Sequence, residues 1–268
     1  MRILRKITSL FLLCLVILTA TNAQERDSAL VAKVFRHGLK DTKSLLLSPA
    51  KWDSKAWLIA GSVTAASGAL ILWGDQAVYN FTNKQQTPSR NQFFKYTEPL
   101  GHYYAFAAMG VTMAVGIIGK NNYHVETAII AAESYLLTGM LVQAVKITAG
   151  RNRPNSFGTT NPHQWEGPFF KGQSFFSGHT STAFAVASVY AQRYKNQFWV
   201  PVAAYGLATL VGVERIYDNR HWTSDVVFGA AVGTATGLLL CRQWDESPIR
   251  FYPVANPGGL GLAVIVKL

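Results

Sequence analysis

The stretch RIYDNRHWTSD, residues 215–225, stands immediately before a long apolar run and combines an arginine, a histidine and an aspartate. If the apolar run at residues 226–240 is a helix that begins inside this stretch, His221 and Asp225 lie one turn apart on the same face. A carboxylate in that position holds one ring N–H of the imidazole and leaves the other nitrogen with a free lone pair, as a nucleophile or a base requires. Arg215 adds a planar, permanent positive charge that suits phosphate. The stretch therefore indicates both the start of the last helix and a site for a phosphoryl group.

Apolar, nearly uncharged runs recur along the chain, which has 268 residues, of which 49% are apolar and 15% charged. Low charge with many glycines, alanines and aromatics favours membrane or deeply buried helices, although the mean hydropathy of +0.14 is modest. We predict an all-α helical bundle of about six transmembrane helices. A bundle of buried soluble helices stays open, because several runs are shorter than the ~20 residues that a bilayer crossing needs. The runs lie at residues 56–73, 103–119, 123–145, 180–190, 199–213 and 226–240.

Two other parts of the chain are predicted not to be helical. Residues 75–100 are rich in Asn and Gln and contain Pro88 and Pro99, which predicts a polar connection broken by prolines. Residues 249–268 alternate around the turn sequence NPGG, which predicts a short β-hairpin at the C-terminus.

The N-terminus has the features of a secretory signal. Basic residues at positions 2, 5 and 6 precede an apolar run at residues 7–18, and small residues before Gln24 suit cleavage. We expect a signal peptide over residues 1–23, with an uncleaved membrane anchor as the alternative, and a polar segment over residues 24–53. Removal of residues 1–23 would take three basic residues from the net charge of +11 and leave 11 − 3 = +8. This surplus favours anionic lipids or phosphorylated molecules as partners, with the ordinary positive charge of cytoplasmic loops as the alternative.

A cationic segment, KITAGRNRP at residues 146–154, ends the third apolar run. Gly150 is a suitable C-cap for that helix, so that Lys146, Arg151 and Arg153 extend into one polar loop. Three cations at one helix end repel each other unless an anion or carboxylates neutralise them. The alternative interpretation is the ordinary excess of positive charge beside a membrane helix.

A second segment, SFFSGHT at residues 174–180, opens the fourth apolar run. Ser177 can cap the helix and Gly178 lets the backbone approach a ligand closely. The free N–H groups and the positive end of the helix favour an oxyanion. His179 stands where it could donate a proton to a leaving group, although a histidine in a first turn is more often an ordinary capping residue.

The three segments are predicted to meet on one side of the bundle, because they follow helix three and precede helices four and six of an antiparallel series. Their cations and titratable groups then require a multiply charged anion. A metal site is not favoured: the histidines form no HxxxH or HExxH pattern, and the lysines and arginines repel cations.

These motifs resemble those of the type 2 phosphatidic acid phosphatase (PAP2) superfamily, which includes lipid phosphatases, class A acid phosphatases and vanadium haloperoxidases. The similarity covers roughly residues 54–243 and consists of KxxxxxxRP at 146–154, SGH at 177–179 and RxxxxxHxxxD at 215–225. Two positions depart from the family pattern. Phe176 replaces the usual Pro before SGH. Glu214 replaces the usual Ser before the arginine and puts a negative charge beside the site, which could weaken anion binding or orient Arg215.

The resemblance implies a role for each matching residue and no metal or other cofactor. His221 would attack phosphorus and form a phosphohistidine, and Asp225 would orient and charge its imidazole. His179 would protonate the departing oxygen and then activate water. Arg151 matches no required family position, and we expect it at most to contact substrate. The phosphoryl oxygens would be held by Lys146, Arg153, Arg215, Ser177 and the N–H of Gly178.

Together these features predict a phosphatase domain over residues 54–243 and a tail over residues 244–268. The expected reaction is metal-independent hydrolysis of a phosphomonoester or diphosphate, on a lipid or a small phosphoester, and no nucleic-acid partner is expected. Three alternatives stay open. They are a soluble periplasmic acid phosphatase of broad specificity, a vanadate-dependent haloperoxidase, and an envelope protein that binds phospholipids without turning them over.

The expected location is a bacterial-type inner membrane with the site facing the periplasm. The sequence gives conflicting signals on orientation. A cleaved signal followed by three spans would put the first motif in the cytoplasm, whereas the basic turns at residues 120–122 and 193–195 mark the opposite side as cytoplasmic. A soluble periplasmic bundle would remove this conflict.

Overall fold

The computed structural model describes residues 42–45, 47–101, 103–156, 160–169, 172–247, 249–256 and 259–266. The expected signal peptide and most of the polar segment after it lie outside these residues. Eight α-helices in the described part form the fold: α1 Ser54–Ala69, α2 Asp75–Lys84, α3 Pro88–Thr97, α4 Tyr103–Ile118, α5 Asn122–Ala149, α6 Gly178–Arg193, α7 Trp199–Tyr217 and α8 Thr223–Glu246. A π-helical turn, Leu70–Gly74, joins α1 to α2 without a break.

The all-α fold is confirmed, and each of the six predicted runs forms a helix. The ends of these helices follow from capping. The side chain of Asn121 accepts the N–H of Tyr123 at 3.0 Å at the start of α5. Gly150 closes the same helix with φ +61°, a left-handed conformation that glycine adopts without steric cost.

The predicted non-helical connection at residues 75–100 is wrong, because most of it forms α2 and α3. Its polar side chains are typical of a loop, yet several of them form hydrogen bonds to the end of α7 and to the α7–α8 connection. The side chain of Asn91, for example, accepts the hydroxyl of Tyr217 at 2.6 Å. Pro88 does not break a helix; it occupies the first turn of α3 behind the capping residue Thr87, where proline is tolerated.

Helix α6 packs against α5, α7 and α8 at the centre of the bundle. Helices α6 and α8 pack closely because α8 carries glycines where the two helices touch. A Cβ on Gly233 would lie 2.1 Å from the carbonyl oxygen of Ser181, and a Cβ on Gly237 would lie 2.4 Å from the carbonyl oxygen of Ala185. Any larger residue there would push the helices apart. This packing fixes the first turn of α8 beside the first turn of α6.

Three stretches of the described chain are long and apolar enough to cross a membrane: Ser54–Lys84, Asn122–Ala149 and Thr223–Glu246. The sequence had suggested about six spans; α4 is apolar but shorter. Large apolar side chains on the stretch Ser54–Lys84, such as Leu58 and Trp73, are exposed. Exposed apolar surface of this extent indicates a membrane protein.

The predicted C-terminal hairpin is confirmed. Strands β1, Ile249–Asn256, and β2, Gly259–Val266, pair antiparallel with Ile249 opposite Val266 and Asn256 opposite Gly259. The hairpin lies beyond the last turn of α8.

Candidate active site

The three motif segments meet at one end of the bundle, as predicted. The N–H of Ser177, just before α6, donates to the carbonyl of Asp225 in α8 at 3.0 Å. The hydroxyl of Ser174 donates to Oδ2 of Asp225 at 2.5 Å. Arg151, just after α5, donates to Oδ1 of the same carboxylate at 2.5 Å. Asp225 is therefore the group on which all three segments converge.

His221 lies in the short connection between α7 and α8 and not in α8 itself. The carbonyl of Arg215 accepts the N–H groups of Arg220 at 3.0 Å and of His221 at 3.2 Å, so the chain folds back over the end of α7. Asn219 makes this turn with φ +54°. The predicted proximity still holds, because Nδ1 of His221 is 3.7 Å from Oδ2 of Asp225.

The imidazole of His221 is buried and held in its neutral form. Burial lowers the pKa of His221 to about 4, and the positive charges of Lys146 and Arg153 act in the same direction against the opposing effect of Asp225. Nδ1 has no hydrogen-bond partner among the described residues, and at 3.7 Å it is just outside hydrogen-bond range of Asp225. Catalytic contacts of this kind often tighten in the complex with substrate. A neutral imidazole with a carboxylate behind it is equipped to act as a nucleophile.

Two of the cations near this histidine, Lys146 and Arg153, lack a carboxylate partner among the described residues. Neither Lys146 nor Arg153 forms an ion pair with any residue that the structure describes. The Nε of Arg153 is buried and lacks a hydrogen-bond partner in the same part of the chain. Burial lowers the pKa of Arg153, and the nearby Arg220 and Arg215 lower it further. Uncompensated cations at this density favour a multiply charged anion.

The first turn of α6 supplies backbone donors beside these cations. Ser177 caps the helix as predicted, with its Oγ 3.4 Å from the N–H of Thr180. That hydroxyl is fully buried and also bonded to the Thr180 hydroxyl, so binding phosphate would require it to leave the cap. A Cβ on Gly178 would lie 3.9 Å from Nζ of Lys146. His179, in the same turn, is half-buried.

The two departures from the family pattern have different surroundings. Phe176 is buried and packs its ring 5.4 Å from that of Phe228. Glu214 is 1% exposed and pairs with the guanidinium of Arg215 through both carboxylate oxygens, one of them 2.5 Å from Nη2. Glu98, which is more than half exposed, lies 3.7 Å from the same Nη2. Arg215 is therefore already occupied by carboxylates of the protein.

The expected role of Arg151 as a substrate contact is wrong. Arg151 is fully buried, and all of its guanidinium N–H donors are used by groups of the protein, among them Asp75 at 2.7 Å. Asp75 is a further residue of this network, and it falls in the segment that the sequence predicts to be a polar connection. A signal was available: Asp75 directly follows an apolar run that is a predicted membrane helix, where a lone carboxylate needs a partner.

No group of three or more His, Cys, Asp or Glu side chains in the described residues is arranged to hold a metal ion. The cationic character of the site is consistent with anion binding instead.

Comparison with known proteins confirms the resemblance. Residues 127–248 match the model of the PAP2 superfamily. The lipid A 1-phosphatase of Porphyromonas gingivalis is 42% identical over 104 residues, which are 38% of this chain and 20% of that protein. Lipid phosphate phosphatase 1 of Arabidopsis thaliana is 31% identical over 143 residues, 42% of this chain and 43% of that protein. The chain thus matches less than half the length of either relative.

Two solved structures share the fold. Aquifex aeolicus LpxE aligns with a TM-score of 0.50 and 24% identity, over 63% of this chain and 94% of that one. A transmembrane PAP2-type phosphatidylglycerolphosphate phosphatase from Bacillus subtilis aligns with a TM-score of 0.50 and 19% identity, over 77% and 96% of the two chains.

Proposed function

We propose that this protein, whose residues 127–248 match the PAP2 superfamily model, is a metal-independent phosphatase. Its substrate is a phosphomonoester or diphosphate of a lipid, and its intermediate is a phosphohistidine. The observation that carries the proposal is His221: a buried, neutral imidazole backed by Asp225 and faced by Lys146 and Arg153, which have no ion-pair partner in the described chain.

In the first step, Nε2 of His221 attacks phosphorus and the bond to the leaving oxygen breaks while His179 gives that oxygen a proton. Asp225 stabilises the positive charge that the phosphorylated imidazole acquires. In the second step, His179 takes a proton from water, the resulting hydroxide attacks phosphorus, and the P–N bond breaks. Inorganic phosphate leaves and His221 is regenerated, so atoms and protons balance over the cycle.

The phosphoryl oxygens carry most of the charge in both transition states. Lys146, Arg153 and Arg215, with Ser177 and the N–H of Gly178, would hold those oxygens. Preorganised cations in a buried site stabilise such charge more strongly than water does.

A lipid substrate is supported by the surroundings of the site. Three stretches of the chain can cross a membrane, and the similar curated proteins are lipid phosphatases. Phosphatidic acid, phosphatidylglycerol phosphate, a polyprenyl diphosphate and a lipid A phosphate all present the required group. We place the protein in a bacterial-type inner membrane with the site facing the periplasm, after removal of a signal peptide.

The test is phosphate release by the full chain in detergent, with each of those lipids and an aryl phosphate, in the presence and absence of EDTA. We expect release from at least one lipid, unaffected by EDTA and abolished in His221→Ala. The matched control is His163→Ala, which changes an exposed histidine and should leave the rate unchanged. Release that survives in His221→Ala would overturn the proposed nucleophile.

Phosphate release together with three further measurements separates the alternatives. A rate that is highest with the aryl phosphate, from protein that carbonate extraction releases from membranes, indicates a soluble acid phosphatase. Halide oxidation with vanadate and peroxide, without phosphate release, indicates a haloperoxidase. Lipid binding without turnover indicates a binding protein.

A further inference from the structure

We propose that Asp75 is a positioning residue of the active site, which holds the catalytic carboxylate Asp225 in place through Arg151. The inference rests on the proposed function. Asp75 begins α2, on the rod formed with the apolar helix α1, and lies outside the residues 127–248 that match the superfamily model. The family comparison therefore assigns it no role.

The guanidinium of Arg151 connects the two carboxylates. It is fully buried, with Nη1 2.5 Å from Oδ1 of Asp225 and Nη2 2.7 Å from Oδ2 of Asp75. Nη1 also donates to Oγ of Ser224 at 2.7 Å. Nε and Nη2 donate to the carbonyl of Pro162 at 3.1 and 2.9 Å. These bonds use all the N–H donors that a guanidinium has, so Arg151 has one fixed orientation and no donor left for substrate.

Asp75 also binds the first turn of α8 directly. Its Oδ1 accepts the N–H of Ser224 at 2.8 Å, and its Oδ2 accepts the Ser224 hydroxyl at 2.6 Å. Ser224 immediately precedes Asp225 in the chain. Asp75 therefore fixes both the backbone and the counter-ion of the catalytic carboxylate.

The charges of Asp75, Arg151 and Asp225 indicate how Asp75 contributes to the reaction. Arg151 alone would neutralise Asp225 and weaken its support of a positively charged imidazole. With Asp75 on the other side of the guanidinium, the buried trio keeps one net negative charge, opposite in sign to the positive charge that the imidazole ring of His221 acquires when it is phosphorylated. Removing that charge should slow formation of the intermediate and leave the binding of phosphate oxygens to Lys146 and Arg153 unchanged.

The experiment compares Asp75→Asn with the wild-type full chain in kcat, KM, the inhibition constant of inorganic phosphate and thermal unfolding. In Asp75→Asn we expect kcat to fall about 100-fold, because the nucleophile is displaced from its reactive geometry. The inhibition constant of inorganic phosphate should stay within about threefold of the wild-type value. The matched control is Asp53→Asn, an exposed aspartate that caps the other end of the same rod. Asparagine caps equally well, so this variant should match wild type.

A second variant covers the case in which Asp75→Asn does not fold. Ser224→Ala removes the hydroxyl that bonds both Asp75 and Arg151 and leaves no buried charge unpaired. We expect about a tenfold loss of kcat, again with phosphate inhibition unchanged. A kcat within twofold of wild type in the folded variants would overturn the inference. So would equal losses in kcat and phosphate affinity, because those would mark Asp75 as a general structural clamp.

Failure of the proposed function gives a different result. If wild type releases no phosphate from any substrate, the phosphatase proposal fails, and the positioning role is measured by orthovanadate binding, since vanadate can take the imidazole of His221 as a ligand. Weakening of that binding by about tenfold or more in Asp75→Asn, but not in Asp53→Asn, would support the inference. Equal binding in both would overturn it.

Discussion

Glu214 is expected to compete with the substrate for Arg215, and Glu214→Gln should therefore tighten phosphate binding. The carboxylate is buried and engages the guanidinium with both oxygens, so a phosphoryl group must share Arg215 with it. Glutamine keeps the shape and one acceptor oxygen but removes the negative charge. The superfamily position more often carries a small neutral serine, which would not compete.

The size of the effect follows from the repulsion between the two anions. Across a guanidinium they stand about 7 Å apart, and at an effective dielectric constant of about 20 two unit charges repel by about 2 kcal/mol. That energy corresponds to about a 30-fold lower inhibition constant for inorganic phosphate. Without phosphate, Glu214→Gln should be less thermally stable than wild type, because Arg215 loses its principal buried partner. With added phosphate, its thermal stability should rise more steeply than that of wild type.

The assay is inhibition of turnover by inorganic phosphate at fixed ionic strength and pH. Glu246→Gln is the matched control, since Glu246 is exposed and pairs with Arg242 at 2.8 Å on the surface; its inhibition constant should equal that of wild type. An unchanged constant in Glu214→Gln would refute the competition. A higher constant would show that Glu214 instead orients Arg215 for the substrate.

Three further outcomes are expected. His179→Ala should lower kcat on lipid substrates about 10²- to 10⁴-fold, and much less on an aryl phosphate, whose leaving group needs no proton; equal losses would contradict the proton-donor role. In a pH series, the rate should fall as pH drops through about 4, where His221 takes up a proton. Because the unfolded histidine titrates near its ordinary value and the folded one near 4, the free energy of unfolding should also fall between these pH values, by roughly 3 kcal/mol; stability that is constant over this window would refute the burial of a neutral imidazole. Gly178→Ala places a methyl group 3.2 Å from Cγ1 of Val142 and 3.9 Å from Nζ of Lys146 and should weaken phosphate inhibition about tenfold by occupying space beside that cation, whereas Gly61→Ala, in open surroundings, should leave inhibition unchanged.

The sequence was sufficient to predict the fold class and the meeting of the three motifs. Apolar runs of helical length determine the helices, and the order of antiparallel helices determines which ends lie together. The proximity of His221 and Asp225 was also expected from a spacing of four residues, although His221 precedes α8 and is brought there by the turn at Asn219. Apolar runs and residue spacings involve residues that are close in the sequence, and the order of the helices follows from how they are connected.

The environment of Arg151 and Asp75 was not predictable in the same way. The two residues are 76 positions apart, and their pairing depends on how α2 lies against the start of α8. Asp75 stands in a segment whose composition indicates a loop, and only burial in the bundle makes its carboxylate a structural partner. The failure at α2 and α3 has a related cause: polar residues that bond across the fold look like loop residues when the sequence is read alone.

The most direct test of the account is the detection of a phosphoryl group on His221 during turnover. Full-length protein is mixed with the preferred substrate, quenched in alkali to preserve phosphohistidine, digested, and the peptide containing His221 is analysed by mass spectrometry. We predict one phosphoryl group on His221, which is absent in His221→Ala and which accumulates in His179→Ala with an aryl phosphate, because the second step lacks its base. Turnover without any labelled histidine, or label on a different residue, would contradict the proposed mechanism.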